Sequence, residues 1–402
     1  MTLHTTGLGA TDWPQLARFR AASPVVEARW SDGIRVWVIL SYEHARTALA
    51  DSRLLKDSAR LHEVISAQRK KAGLLAEPVP DPLMGPHMLN QDGDKHLRLR
   101  RLLLAAFTAR RIEQLRPRIE HISAELVTTI GRIGRVDLIS EYAFLLPITV
   151  IGELLGVPAT HHSDLRTWTA GLISDDPLVT KQAASDMIIF VTDLVEHKRR
   201  APADDLVSAL VQGIDDDRLT PDELLSTIVL LIVAGHETTT NLIGNGVRWL
   251  LEDRAEWQRL RQRPELIPDA IEELLRFHPS IDFATPRVTS EPVDYGGVHI
   301  GAGEVVMVSI SSANRDEDAF PAADRLDLTR GDGQRRHVAF GRGVHHCLGA
   351  SLARLEGRIA LEHLTRAFPD ARLAVPAHEL RHATHSSVGS GFETLPVDLL
   401  GR

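Results

Sequence analysis

From Thr220 to about Leu251 the chain encodes one helix long enough to cross whatever it folds into. Thr220-Pro221-Asp222-Glu223 sets a hydroxyl at the N-cap, proline at the first helical position and a carboxylate three residues after the cap. Some 30 residues at about 1.5 Å each span roughly 45 Å. The stretch Ile228 to Ala234 is apolar all round, so its middle is buried on every side. A chain built on such a helix must wrap other helices around it.

The remaining pattern supplies them. His96 to Gly156 is mostly helical, and Leu165 to Lys198 carries helices around the breaker Asp175-Asp176-Pro177. Pro268 to Phe277 and Leu348 to Phe368 read as further helices. Arg35 to Leu40 and Val305 to Ile310 read as strands, and Gly296-Gly297 joins Val293–Tyr295 to Val298–Ile300 as a hairpin. Arg53 to Pro86, crowded with prolines in its second half, reads as a long loop with short helical pieces. The fold class expected is mainly α with small β-sheets, residues 1–402 forming a single compact domain.

A formal charge of −8 disfavours bulk nucleic-acid binding. The longest clean apolar run, Ile228 to Ala234, falls far short of the roughly 18 residues of a membrane helix. Met1 to Gly7 shows no basic stretch leading into an apolar one. No membrane partner, no nucleic acid and a cytoplasmic location are the expectations. Cys347 is the single cysteine, which excludes an intramolecular disulfide and multi-cysteine metal sites. Composition alone makes it a small buried hydrophobe.

Its surroundings say otherwise. In Phe340-Gly341-Arg342-Gly343-Val344-His345-His346-Cys347-Leu348-Gly349, glycines clear the space around one sulfur. A helix begins just beyond, and its N-terminal N–H groups favour a thiolate. This segment resembles the haem-binding signature of the cytochrome P450 superfamily, with Phe340, Gly343, Cys347 and Gly349 at all four signature positions. The resemblance runs through the whole chain and is nearest the soluble bacterial branch acting on macrolides, other polyketides, steroids or vitamin D-like molecules. It implies haem b (iron protoporphyrin IX), with Cys347 as the iron ligand.

Three other sets of residues extend the resemblance. Ala234-Gly235-His236-Glu237-Thr238-Thr239 interrupts the apolar helix at mid-span, where threonine can bond back to the i−4 carbonyl and bend the helix. It resembles the family's oxygen-binding kink, with an opened turn, Thr238 beside the oxygen and Glu237 relaying protons. His236 reads as structural, bonded to a neighbouring helix. Glu273 and Arg276 share a helix face, and the family pattern implies a buried triad completed by a later arginine, Arg325, that locks the cysteine loop. His96, Arg100, Arg287 and His345 match propionate-binding positions. Asp92-Gly93-Asp94-Lys95 departs from relatives that often carry proline, which alters the loop leading to His96.

The resemblance implies a monooxygenase that inserts one atom of O2 into a bulky lipophilic molecule by hydroxylation or epoxidation. Ferredoxin and ferredoxin reductase would supply electrons to a monomer, docking near Arg98, Arg101, Arg342 and Arg354. The pocket would be lined by Leu83, Met88, Leu230, Val233, Ala234, Phe283 and Val388, while Asp282 would hold a substrate polar group or cap local backbone. The alternatives are an oxidative-coupling or peroxygenase-type catalyst on the same fold, or a non-catalytic haem sensor.

Overall fold

The capping box forms at the head of the long helix. Thr220 Oγ1 accepts the Glu223 N–H, and the Glu223 carboxylate accepts the Thr220 N–H. In this computed structural model the helix then runs unbroken from Pro221 to Glu252. The structure describes residues 3–4, 12–29, 33–73, 83, 85–172, 174, 176–215, 218–383 and 389–401.

The elements in chain order are β1 Leu3–His4, α1 Trp13–Ala22, β2 Val25–Arg29, β3 Arg35–Ile39, α2 Tyr42–Ala50, β4 Leu54–Leu55, α3 Ser58–Lys71, α4 Gly93–Leu104, α5 Ala109–Gln114, α6 Arg116–Ile133, β5 Arg135–Asp137 and α7 Leu145–Leu155. There follow α8 His162–Leu172, α9 Pro177–Arg200, α10 Leu206–Asp215, α11 Pro221–Glu252, α12 Arg254–Gln262, α13 Ile267–Phe277 and β6 Arg287–Thr289. The chain closes with β7 Val293–Tyr295, β8 Val298–Ile300, β9 Val305–Val308, α14 Ile310–Asn314, α15 Ala350–Ala367, β10 Arg372–Leu373 and β11 Pro396–Asp398.

Helices dominate and the sheets are small, as the hydrophobic pattern requires. The largest sheet has the order β1-β2-β3-β9-β6-β4. Its β3–β9 pair is parallel, and β9–β6 and β6–β4 are antiparallel. The helical core gathers around α11, whose Ile228 to Val233 are all buried. Gly357 of α15 brings α15 close to α11 and α13, since a Cβ there would lie 3.1 Å from Leu242 and 3.0 Å from Ile271.

Two expectations need correction. Residues 58–71 form one 14-residue helix rather than loop with short helical pieces. Asp57 caps it by accepting the Ala59 and Arg60 N–H groups, but Leu61 is its only buried residue, so it leaves little apolar periodicity to read. The strand from Val305 stops at Val308, because the Ser309 hydroxyl accepts the Ser312 N–H and opens α14.

Candidate active site

Cys347 sits two residues ahead of Gly349, the N-cap of α15. Its N–H donates to the Phe340 carbonyl at 2.9 Å and closes the loop. Gly341 and Gly343 take φ of 68° and 76°, and a Cβ on Gly343 would lie 2.9 Å from Ala50 Cα. Both glycines shape the loop, and Gly343 docks it on α2. Gly349 differs: its φ is −82° and a Cβ there would meet nothing within 4 Å. The protein's own packing therefore does not require glycine at 349, whereas a flat group pressed against the loop would.

Burial pushes the Cys347 thiol up. Opposing this are the Gly349 N–H, the charges of Arg100 and Arg354, and the Ala350 N–H. Cys347 nevertheless exposes surface. The two facts agree if the sulfur is ringed by protein while one side faces open space. Such a donor, held by N–H groups and cations, has the chemistry of a thiolate metal ligand.

On α11, Ala234 is exposed although Ile228 to Val233 before it are buried, so the helix borders open space there. The opened turn expected at this point is not formed. Thr238 and Thr240 donate their hydroxyls to the Ala234 and His236 carbonyls, and the α-helix stays continuous. Gly235 serves packing, since a Cβ would lie 2.7 Å from Ile151 Cγ1 on α7. Burial alone pushes the Glu237 carboxyl up to about 7. His236 is buried, its Nδ1 2.6 Å from the Ile232 carbonyl and its Nε2 3.3 Å from Thr169 Oγ1 of α8. It bridges two helices, and desolvation lowers its pKa to about 4.

His96 and His345 come together with ring centroids 4.2 Å apart. His96 also meets the Met88 and Val344 carbonyls, and His345 pairs with Asp92 at 3.2 Å. Arg287 is buried on β6, and burial pushes it down to about 10. Arg100 donates to the His346 carbonyl and so ties α4 to the cysteine loop. Lys56, which sequence reasoning passed over, belongs to the same cluster: its charge acts on His345, and it feels Arg287 and Asp92. Gly93 enters α4 at φ 57°, a conformation closed to proline.

The ion-pair triad forms with a different third member. Glu273 and Arg276 are fully buried and joined by two 2.8 Å bonds. The second guanidinium on Glu273 comes from Arg330, at 3.1 Å. Arg325 is exposed and lends only its backbone carbonyl, which accepts from both Arg276 and Arg330. The chain turns after Asp327, whose N–H donates to Glu273, and this return carries Arg330 inward.

Leu230 and Val233 are buried on α11, and Leu83 and Met88 pack at the edge of the helical core. Phe283 does not join them. It is buried in the sheet-side core with Leu16, Phe19, Val288 and Val305. Its bridge to Ser309 fixes the strand-like alternation that turns the ring that way. Asp282 is fully buried and accepts from the Ser311 hydroxyl at 2.7 Å, which fits the capping role. Val388 lies outside the described residues. Of the basic groups considered for docking, Arg98 is paired with Glu223 and Arg354 with Glu272, while Arg101 and Arg342 are exposed. Among the described residues no helix is long and apolar enough to cross a membrane.

Comparison with known proteins gives a consistent set of likenesses. The cytochrome P450 family model matches residues 179–369. The chain is 45% identical to cytochrome P450 107B1 of Saccharopolyspora erythraea, over 95% of this chain and 93% of the relative. It is 42% identical to the vitamin D(3) 25-hydroxylase of Pseudonocardia autotrophica, over 99% of each. The solved structure of the tirandamycin C-bound P450 monooxygenase TamI superposes with a TM-score of 0.90 at 39% identity, covering 99% of this chain and 100% of that one.

Proposed function

Because the chain belongs to the cytochrome P450 family and is thus a haem-thiolate oxidoreductase, we propose that it is a single-domain monooxygenase of residues 1–402 that uses haem b to oxidise a bulky lipophilic small molecule. The observation that carries this reading is the Cys347 loop, with its sulfur facing the Gly349 and Ala350 N–H groups beside a glycine that protein packing does not require.

Cys347 would bind the iron, with Phe340 and Gly349 flanking the group. His96, Arg100, Arg287 and His345 would hold its propionates. The haem, when bound, supplies activation of O2, with one atom entering a C–H or C=C bond and the other leaving as water. The chain's own residues supply the rest. Leu230, Val233 and Ala234, with Leu83 and Met88, form an apolar wall that orients a lipophilic substrate and excludes water. Glu237, held near 7, exchanges protons at neutral pH. The Thr238 hydroxyl donates to the Ala234 carbonyl at 3.0 Å, which leaves its oxygen lone pairs free to accept from a donor above the helix. Glu273, Arg276 and Arg330 act on structure by tying the segment at 321–330 to α13.

Two of the named relatives are a vitamin D(3) 25-hydroxylase and a tirandamycin C-bound monooxygenase, which supports a macrolide or other polyketide, steroid or terpenoid as substrate and a place in secondary metabolism. Electrons would come from a ferredoxin and its reductase, docking near exposed Arg101 and Arg342 in the cytoplasm on a monomeric enzyme.

The test is a spin-state titration against such a panel. Turnover of the best binder with a ferredoxin system then follows, with oxygen use and product measured together. A hydroxylated or epoxidised product is expected in wild type, and Thr238→Ala should consume oxygen with less product. Equal coupling in the variant would refute the Thr238 role, and O2-independent product formation would refute the monooxygenase reading.

A further inference from the structure

β4 and β6 pair antiparallel, with Leu54 opposite Thr289 and Leu55 opposite Val288. Lys56 follows directly on the last paired residue of β4, on the side where that register would continue to Arg287, and the Arg287 charge acts on it. Like charges facing one another across a ladder repel, and here both side chains are buried, at 6% and 4% exposure. The Lys56 ammonium donates to the Thr285 hydroxyl, and the Arg287 guanidinium donates to the Ala48 carbonyl at 3.3 Å.

The nearby carboxylate is already engaged. Asp92 Oδ2 accepts the Lys56 backbone N–H at 2.7 Å, and Oδ1 faces His345 Nε2. Among the described residues, no carboxylate comes within ion-pair distance of the Lys56 ammonium or the Arg287 guanidinium. Burial drives the lysine well below its ordinary pKa, Arg287 adds to the effect, and the more distant charge of Asp92 opposes it. A buried cation without a counter-charge is costly and tends to neutralise. An anion lying between Lys56 and Arg287 would let both carry their charge.

We infer that Lys56 is a further anchor for the haem, its ammonium pairing with a propionate carboxylate alongside Arg287 and His345. This rests on the proposed role of the basic cluster as the propionate site. It gives the β4–α3 connection a direct hold on the cofactor and accounts for a lysine where a neutral residue would otherwise suffice. The pair would be desolvated and charge-assisted, and so stronger than a surface ion pair.

The test uses the haem-loaded enzyme and two readouts besides activity: the rate of haem transfer to excess apomyoglobin, and the propionate bending mode in the resonance Raman spectrum. Lys56→Met should speed haem loss about tenfold, the weight of one charge-assisted hydrogen bond, and shift the propionate mode. Arg287→Gln serves as the reference for the cluster, and Thr285→Val removes the hydroxyl partner alone. Lys56→Gln, which keeps a polar end without charge, gives the same readouts should the methionine variant load poorly. A silent Lys56→Met beside a fast Arg287→Gln overturns the role of Lys56 and leaves the cluster standing. Silence in both overturns the propionate assignment itself. Equal haem loss in Lys56→Met and Thr285→Val, with neither shifting the propionate mode, makes Lys56 a structural partner of Thr285 and also overturns the inference.

Discussion

Replacing Glu273 by glutamine keeps the shape of the buried triad and removes its only negative charge. Arg276 would retain its bonds to the Asn314, Ala323 and Arg325 carbonyls, yet its guanidinium has zero exposure and would face no counter-charge. Breaking a buried pair in this way costs about 3–5 kcal/mol. Arg330→Met should cost less, about 1–2 kcal/mol, because Glu273 would keep both Arg276 bonds and the Asp327 N–H. Arg325→Ala should stay within about 0.5 kcal/mol, since only its backbone takes part. Urea unfolding followed by tryptophan fluorescence gives the three values, with an unchanged m-value checking that the same transition is compared. Arg325→Ala costing as much as Arg330→Met would refute the assignment of the third member. A Glu273→Gln protein as stable as wild type would refute the importance of the buried charge.

Other outcomes follow from the long helix. Gly235→Ala should cost about 1–3 kcal/mol by pressing a methyl into Ile151, and a variant as stable as wild type in urea would contradict the close contact. His236 has a folded pKa of about 4, below its ordinary 6.5, so the unfolded chain takes up the proton first as pH falls. Its contribution is present above about 6.5 and lost between 6.5 and 4. His236→Asn should therefore lose stability less steeply than wild type over that window, and parallel profiles would count against the burial of a neutral His236. Glu237 carries its proton below about 7, so product formed per O2 should fall as pH rises through 7. Glu237→Gln should flatten that profile, and an unaltered profile would remove Glu237 from proton delivery.

Much of this was legible in the sequence because it rests on local chemistry. The capping box names its own helix start, and the glycine frame of Cys347 marks a loop that must pass close to something. The missed features depend on how distant segments return. Arg325 is the expected partner of Glu273 from the sequence, but the turn after Asp327 carries the Arg330 guanidinium inward instead. Lys56 is an ordinary lysine in the sequence, and it becomes notable only when the β4–β6 pairing brings it, buried, within reach of the Arg287 charge. The resemblance implies that Phe283 lines the pocket, but the alternation fixed by its bridge to Ser309 sends it to the sheet side. The threonines of α11 do form their back-bonds, yet buried packing on both flanks keeps the helix continuous where an opened turn was expected.

The assignment of Cys347 as the iron-binding thiolate is tested most directly by the absorbance of the reduced, carbon monoxide-bound protein. The wild type should give the strongly red-shifted Soret band of a thiolate ligand, and Cys347→Ala should abolish it. A band of the histidine-ligated type in the wild-type protein would contradict the account.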